Sequence, residues 1–187
     1  MTRQMLLHAG ADVTADRYPF HHRSEVVVAA DVPRLFALLD DHRRLAAHME
    51  KPSMLMAGAT MHVETDALKG QAVGSLIRIS GRVLGVNLAV EEVVTERIPP
   101  LYKVWETRGA PRLLVIGSYR IGFSISAQGD HSRLAVFIDY QLPPRGFSRA
   151  LGLIFGRVYA AWCTRRMATD AVAAFSIIAT TQLEQHD

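Results

Sequence analysis

The 187-residue sequence has a single cysteine, Cys163, so no disulfide can close within the chain. One thiol also cannot build a thiolate metal site, and its scarcity fits a reducing compartment. The histidines do not supply a metal site either. His21 and His22 are adjacent, His42 and His48 are poorly spaced for one helix face, and His62 and His131 are isolated. None sits in HxxxH or HExxH spacing, so no metal is expected. A GxSxG elbow is missing, as is a glycine-rich loop followed by GK[ST], so no nucleotide cofactor is expected. Charge of one sign is sparse: 21 Lys and Arg against 18 Asp and Glu, scattered along the chain. That excludes a basic stripe for nucleic acid, while the small positive excess allows transient contact with an anionic membrane surface. Long apolar runs are lacking as well. Met5 to Leu7 is too short for a signal-peptide core, and Leu151 to Trp162 is broken by Arg157. It falls short of the roughly 20 residues a membrane span needs. The expected location is cytoplasmic.

What is present is a globular composition: 49% hydrophobic and 21% charged residues, enough in one chain for one domain with a substantial core. Residues 1–20 lack sustained periodicity and read as an N-terminal arm; residues 21–187 read as a single domain. The β-branched run Glu25-Val26-Val27-Val28 predicts a first strand over His22 to Ala30. Asp31 offers an N-cap with Pro33 just behind it, so a short helix follows, with Leu35, Leu38 and Leu39 at helical spacing. A second short helix is expected over His42 to Met49. Strands then follow in series: Met61 to Leu68, Val73 to Val83, Leu88 to Arg97 and, after Pro99-Pro100, Leu101 to Thr107. Gly109-Ala110-Pro111 reads as a break.

Leu113 to Ser126 alternates, with Val115, Tyr119, Ile121, Phe123 and Ile125 on one face. Leu134, Val136, Ile138 and Tyr140 repeat the pattern after a hairpin at Gly129-Asp130. Alternation over consecutive strands without intervening helices means an antiparallel sheet with one wet face. After Pro143-Pro144 the pattern becomes one long helix from about Phe147 to Ile178. Its apolar stripe runs Leu151, Phe155, Val158, Trp162, with Arg149, Arg157, Arg165, Arg166 and Asp170 around it. Such a stripe needs a surface to cover it, and the preceding sheet is the surface at hand. Gly152 and Gly156 would allow close sheet contact or a bend.

The order is strand, two short helices, about six strands and a long helix. Together with SEVVVAADVPRLFALLDDHRRL, VEEVVTERIPP and FIDYQLPP, it resembles the SRPBCC superfamily, which includes START domains, polyketide cyclases and lipid-transfer-like helix-grip proteins. The resemblance spans roughly His21 to Ile178. It implies an α+β helix-grip fold, a curved antiparallel sheet of about seven strands around the C-terminal helix, with ligands held between the two. Chemistry on that scaffold ranges from none to cyclisation, so the fold does not choose a function.

Residues for a site follow from the alternation. Tyr119, Phe123 and Tyr140 point with the bulky aliphatics; Phe155 and Trp162 share the helix stripe; Trp105 lies on a strand of unfixed parity. They either fill the core or, in part, line an apolar cavity with a few polar tips. Arg166 or Arg165, at the edge of a void beside the small residues after Trp162, could meet a ligand carboxylate or phosphate, or simply pair with Asp170. The methionines Met49, Met54, Met56 and Met61 read as core plugs or as a lid. His62 is the outside candidate for a general base. Cys163 would become reactive only if Arg166, one turn away, lowered its pKa. Glu91 and Glu92 point to opposite strand faces and make a poor carboxylate pair. Three readings stay open: a carrier of a small hydrophobic or lipid-like molecule, a cyclase or dehydratase acting on polyketide-like substrates in the same cavity, and an interaction module with a filled core. The first is preferred. Nothing in the residues fixes an oligomeric state.

Overall fold

In a computed structural model, residues 17–42, 61–83 and 85–184 are described, with the side chains of the last helix described as far as Ser176. The second short helix, the methionines Met49, Met54 and Met56, His48 and nearly all of the N-terminal arm lie outside the described residues.

Strand β1 (Phe20–Val28) ends where Ala30-Asp31 turns the chain into helix α1 (Val32–Asp40). The Asp31 carboxylate accepts from the Arg34 N–H at 2.8 Å, the N-cap its position predicts. Leu35, Phe36 and Leu39 then bury one side of α1. Six further strands follow: β2 (Met61–Thr65), β3 (Leu76–Val83), β4 (Val86–Ile98), β5 (Tyr102–Arg112), β6 (Tyr119–Gln128) and β7 (His131–Tyr140). They form one antiparallel sheet of seven strands in the order β1-β7-β6-β5-β4-β3-β2. The chain closes with helix α2 (Gly146–Glu184), which lies against β1 and β7.

The expected alternation sets the inner face of the sheet. Leu134, Val136, Ile138 and Tyr140 are all at or below 1% exposure, and Tyr119, Ile121, Phe123 and Ile125 face the same side. The β6–β7 connection, expected from its flanking strands to be longer than two residues, is the two-residue turn Gly129-Asp130, with Gln128 paired to His131.

Two segments depart from the expected strands. β5 does not stop at Gly109-Ala110-Pro111 but runs on to Arg112. Ala89 pairs with Arg112 and Glu91 with Arg108, so the extra residues are taken up in a register shift, with Gly109 at a φ of 69°. Proline is tolerated there because β6 pairs with β5 only from Tyr102 to Glu106, leaving Pro111 without a second neighbour. Conversely, Leu113 to Ser118 is not strand. It crosses beneath α2, tied to the end of β7 by Gly117 N–H to Gln141 O (2.7 Å) and Gln141 N–H to Ser118 O (3.0 Å).

The face of α2 that meets the sheet is also not the stripe Leu151, Phe155, Val158, Trp162. Phe155 and Val158 are 49% and 57% exposed. The buried side is Gly152, Gly156, Ala160 and Thr164, continuing into Met167, Ala168, Ala171 and Phe175. The cause is close approach. A Cβ at Gly152 would stand 2.8 Å from the Val115 carbonyl oxygen and 3.0 Å from Pro143. Only glycine lets the helix lie this near the 113–118 crossing. Thr164, fully buried, then fixes α2 on β1 through His22 Nδ1 (2.9 Å) and Ser24 Oγ (2.8 Å).

Candidate functional site

A cavity of about 80 Å³ lies between the sheet and the middle of α2. One water-sized position takes roughly 10–15 Å³ on such a measure, so this space is several positions large. Its walls are mostly apolar. Ile79, Val90, Ile121 and Ile138 come from the sheet, Leu113 and Ile116 from the crossing, and Tyr159, Cys163 and Met167 from α2.

Besides the Tyr159 hydroxyl and the Cys163 thiol on α2, three polar groups break that lining. The first is Glu92, on β4. Val90, Glu92 and Val94 share the inward parity of the strand, so the carboxyl is placed where an aliphatic side chain would normally be. It is 2% exposed and accepts a hydrogen bond from the Tyr119 hydroxyl. Burial pushes its pKa from 4.5 up to about 7, against the opposing pull of Tyr119 and Trp105. Tyr119, the second group, is held well above the ordinary phenol value by burial and by the Glu92 charge.

The third is His42, just past the end of α1. Lys103 explains its state. Lys103 shares inward parity with Trp105 and Thr107 and is fully buried. Its ammonium donates to the Asp40 backbone oxygen and to Asp40 Oδ1, each at 2.9 Å, and stands 3.2 Å from His42 Nδ1. Arg97 completes the cluster, donating from Nε and a terminal nitrogen to both Asp40 oxygens at 3.1 and 2.8 Å. Burial alone would raise the Asp40 pKa, but the bonds from Arg97 and Lys103 outweigh it and the net shift is downward. His42 is lowered from 6.5 to about 3, by burial first and the Lys103 charge second, so it is neutral. An ammonium cannot accept, so Nδ1 is the acceptor and the proton sits on Nε2. That Nε2 is buried and has no hydrogen-bond partner among the described residues. The ring edge carrying Nδ1 is held by Lys103 and Gly70, and His42 lines the cavity. The imidazole thus offers the interior one unanswered N–H.

Of the residues singled out from sequence, the structure brings Trp105 and Tyr119 to the cavity. Phe123 packs behind it, edge-on to Phe36 and Trp105 at 5.8 and 6.4 Å. Tyr140 is buried and stacked on Phe20 at 5.3 Å. Phe155, Trp162 and Arg166 do not reach the cavity, because they lie on the side of α2 turned from the sheet; Arg166 pairs with Asp170 at 3.2 Å. His62 is exposed, since Met61 and Val63 on either side of it take the inward positions. Cys163 does line the cavity, but burial pushes its thiol up to about 12, the reverse of activation. Glu91 and Glu92 do face opposite ways: Glu91 pairs outside with Arg78 at 2.9 Å. Sequence reasoning missed Glu92, Lys103 and His42.

Solved structures share this architecture at low identity. A protein from Chromobacterium violaceum aligns with a TM-score of 0.58 and 16% identity over 84% of this chain and 97% of its own. Norcoclaurine synthase from Thalictrum flavum gives 0.58 and 16% over 83% and 85%. An aromatase/cyclase from Streptomyces sp. R1128 gives 0.54 and 13% over 81% and 93%. The fold is the helix grip that these structures share. No protein-family model matches the sequence, and neither does any curated protein sequence. In this helix-grip chain the site rests on its own residues, since such distant likeness carries the fold alone.

Proposed function

We propose that this helix-grip protein binds a small hydrophobic molecule in the cavity between the sheet and α2, as a carrier inside the cell. The observation that carries the reading is a partly open, mostly apolar cavity lined by a buried polar atom, His42 Nε2, with no hydrogen-bond partner among the described residues. A solid core would have neither, because an unpaired buried donor costs about 1–3 kcal/mol. A ligand with an apolar body and an oxygen that accepts from His42 removes that cost. Burial of its apolar surface adds about 25 cal/mol per Å² before ordering costs.

The test uses Trp105, which lines the cavity. In a Trp162→Phe variant it is the remaining tryptophan. Titration with fatty acids, isoprenoids and aromatic ketones is expected to change its emission saturably, and native mass spectrometry of gently purified protein to show added mass. Unchanged emission across the whole panel together with a bare polypeptide mass would overturn the reading.

A second reading is favoured by one observation, the Glu92 carboxyl poised near neutral pH beside Tyr119. Such a group gives and takes a proton with equal ease, while the Tyr119 hydroxyl can polarise a carbonyl. This supports a cyclase or dehydratase acting on a polyketide-like substrate, and the names of two structural neighbours, a synthase and an aromatase/cyclase, agree with it. Turnover of an aromatic polyketide mimic that Glu92→Gln abolishes, with binding kept, would establish it. Binding of such mimics with no turnover by the native protein would exclude it, and a Glu92→Gln variant that turns one over at the native rate would remove Glu92 from the chemistry.

A further inference from the structure

The outward side of α2 is apolar where a solvated helix face is ordinarily charged. Phe147, Ile154, Phe155 and Val158 are 77%, 66%, 49% and 57% exposed. Their spacing puts them on one side of the helix over about three turns. Leu151 and Trp162 extend the same side. Monomeric proteins rarely leave contiguous apolar surface of this kind without use.

The charge beside it is mostly positive: Arg165 lies on this face and Arg157 and Arg166 flank it, with Arg166 paired to Asp170 one turn on. From Pro143 to Thr169 the sequence carries Arg145, Arg149, Arg157, Arg165 and Arg166, all exposed, and no Asp or Glu. Arg165, Arg166 and Thr169 border a shallow depression beside Trp162, where guanidinium forks suit a phosphate. We propose that this face of α2 docks on an anionic lipid bilayer, the apolar side chains entering between headgroups and the arginines meeting lipid phosphates. No described helix is long and apolar enough to cross a membrane, so α2 lies in the surface plane. A second copy of the chain fits the same face poorly. In an antiparallel two-fold pairing centred near Phe155, the Arg165 end of one copy meets the Arg145 end of the other, cation against cation.

The experiment is co-sedimentation of the full chain with vesicles of phosphatidylcholine and of an equimolar phosphatidylcholine–phosphatidylglycerol mixture. Trp162 emission, read in a Trp105→Phe background, reports insertion. Binding to the anionic vesicles is expected to exceed binding to the neutral ones at least tenfold and to fall with added salt, with a blue shift of Trp162. Ile154→Ser/Val158→Ser and Arg157→Glu/Arg165→Glu change exposed residues, so they keep the native circular dichroism. Each is expected to lose binding about tenfold or more, since one cation near such a surface is worth about fivefold. Equal partitioning onto both vesicles, or onto neither, would overturn the proposal. So would a dimer in sedimentation equilibrium that the serine variant dissolves, which would assign the face to a second copy.

Discussion

The interior of the grip and the outward side of α2 depart from ordinary polarity in opposite directions. Beneath the sheet, Glu92, Lys103, Asp40 and His42 are buried; on α2, Phe147, Ile154 and Val158 face solvent. Both placements are unfavourable for folding taken alone, so both mark places where something other than folding is served. Within the interior a second contrast separates structure from site. Asp40, Lys103 and Arg97 answer one another completely. Among the described residues, Glu92 has the Tyr119 hydroxyl but no cation, and His42 Nε2 has no hydrogen-bond partner. Pairing, more than burial, distinguishes a cluster that holds the fold from groups left over for a ligand.

The largest effect expected from breaking this contrast is at Asp40. Asp40→Ala strands the Lys103 ammonium in the interior and is expected to remove about 3–5 kcal/mol, read by urea denaturation. A loss under about 1 kcal/mol would erase the distinction between the paired and unpaired groups.

The next effect is in pH dependence. The Glu92 pKa is raised from 4.5 to about 7, so the folded chain holds this proton more tightly than the unfolded one. Its contribution is full below about pH 4.5 and is lost as pH rises towards 7, on the order of 3 kcal/mol across that window. His42, lowered from 6.5 to about 3, runs the other way: its contribution is full above pH 6.5 and is lost as pH falls. The two slopes oppose each other between pH 4.5 and 6.5. Glu92→Gln removes one of them, so the variant should show stability climbing steadily with pH up to 6.5, where the native protein is flatter. Parallel pH profiles of native and variant would count against the Glu92 assignment.

A smaller effect probes the sheet side of α2. Gly152→Ala places a Cβ 2.8 Å from the Val115 oxygen. The overpacking, about 1–3 kcal/mol, should exceed the roughly 1 kcal/mol that alanine gains in a helix. At Gly156 the same distance is 3.3 Å, so Gly156→Ala is expected to be neutral or mildly stabilising. Equal thermal shifts for the two would refute the close-approach account. The smallest effect belongs to the outward side: Ile154→Ser should change stability by less than about 0.5 kcal/mol.

The sheet was legible because alternation is a local signal. Leu134, Val136, Ile138 and Tyr140 need only period two to be assigned inward, and Asp31 with Pro33 marks a helix start within four residues. The facing of α2 was not legible in the same way. Its large apolar residues form the better stripe by size, whereas the contact surface is made of glycine, alanine and threonine; the Gly152–Gly156 spacing was the one hint. Glu92 had a usable signal, the inward parity it shares with Val90 and Val94, and Lys103 had the same with Trp105. His42 had none. Its role depends on an ammonium 61 residues further along the chain, and no local pattern carries that.

The sheet order has a consequence for synthesis. Phe20 pairs with Tyr140 and Val28 with Ser132, so the first strand's neighbour in the sheet is made roughly a hundred residues after it. At the usual elongation rate of about 5–20 residues per second, that β-branched edge stays uncovered on the ribosome for several seconds or longer. Nascent-chain chaperones therefore have their clearest target in the first thirty residues, and a ribosome stalled before His131 would hold a sheet that cannot close.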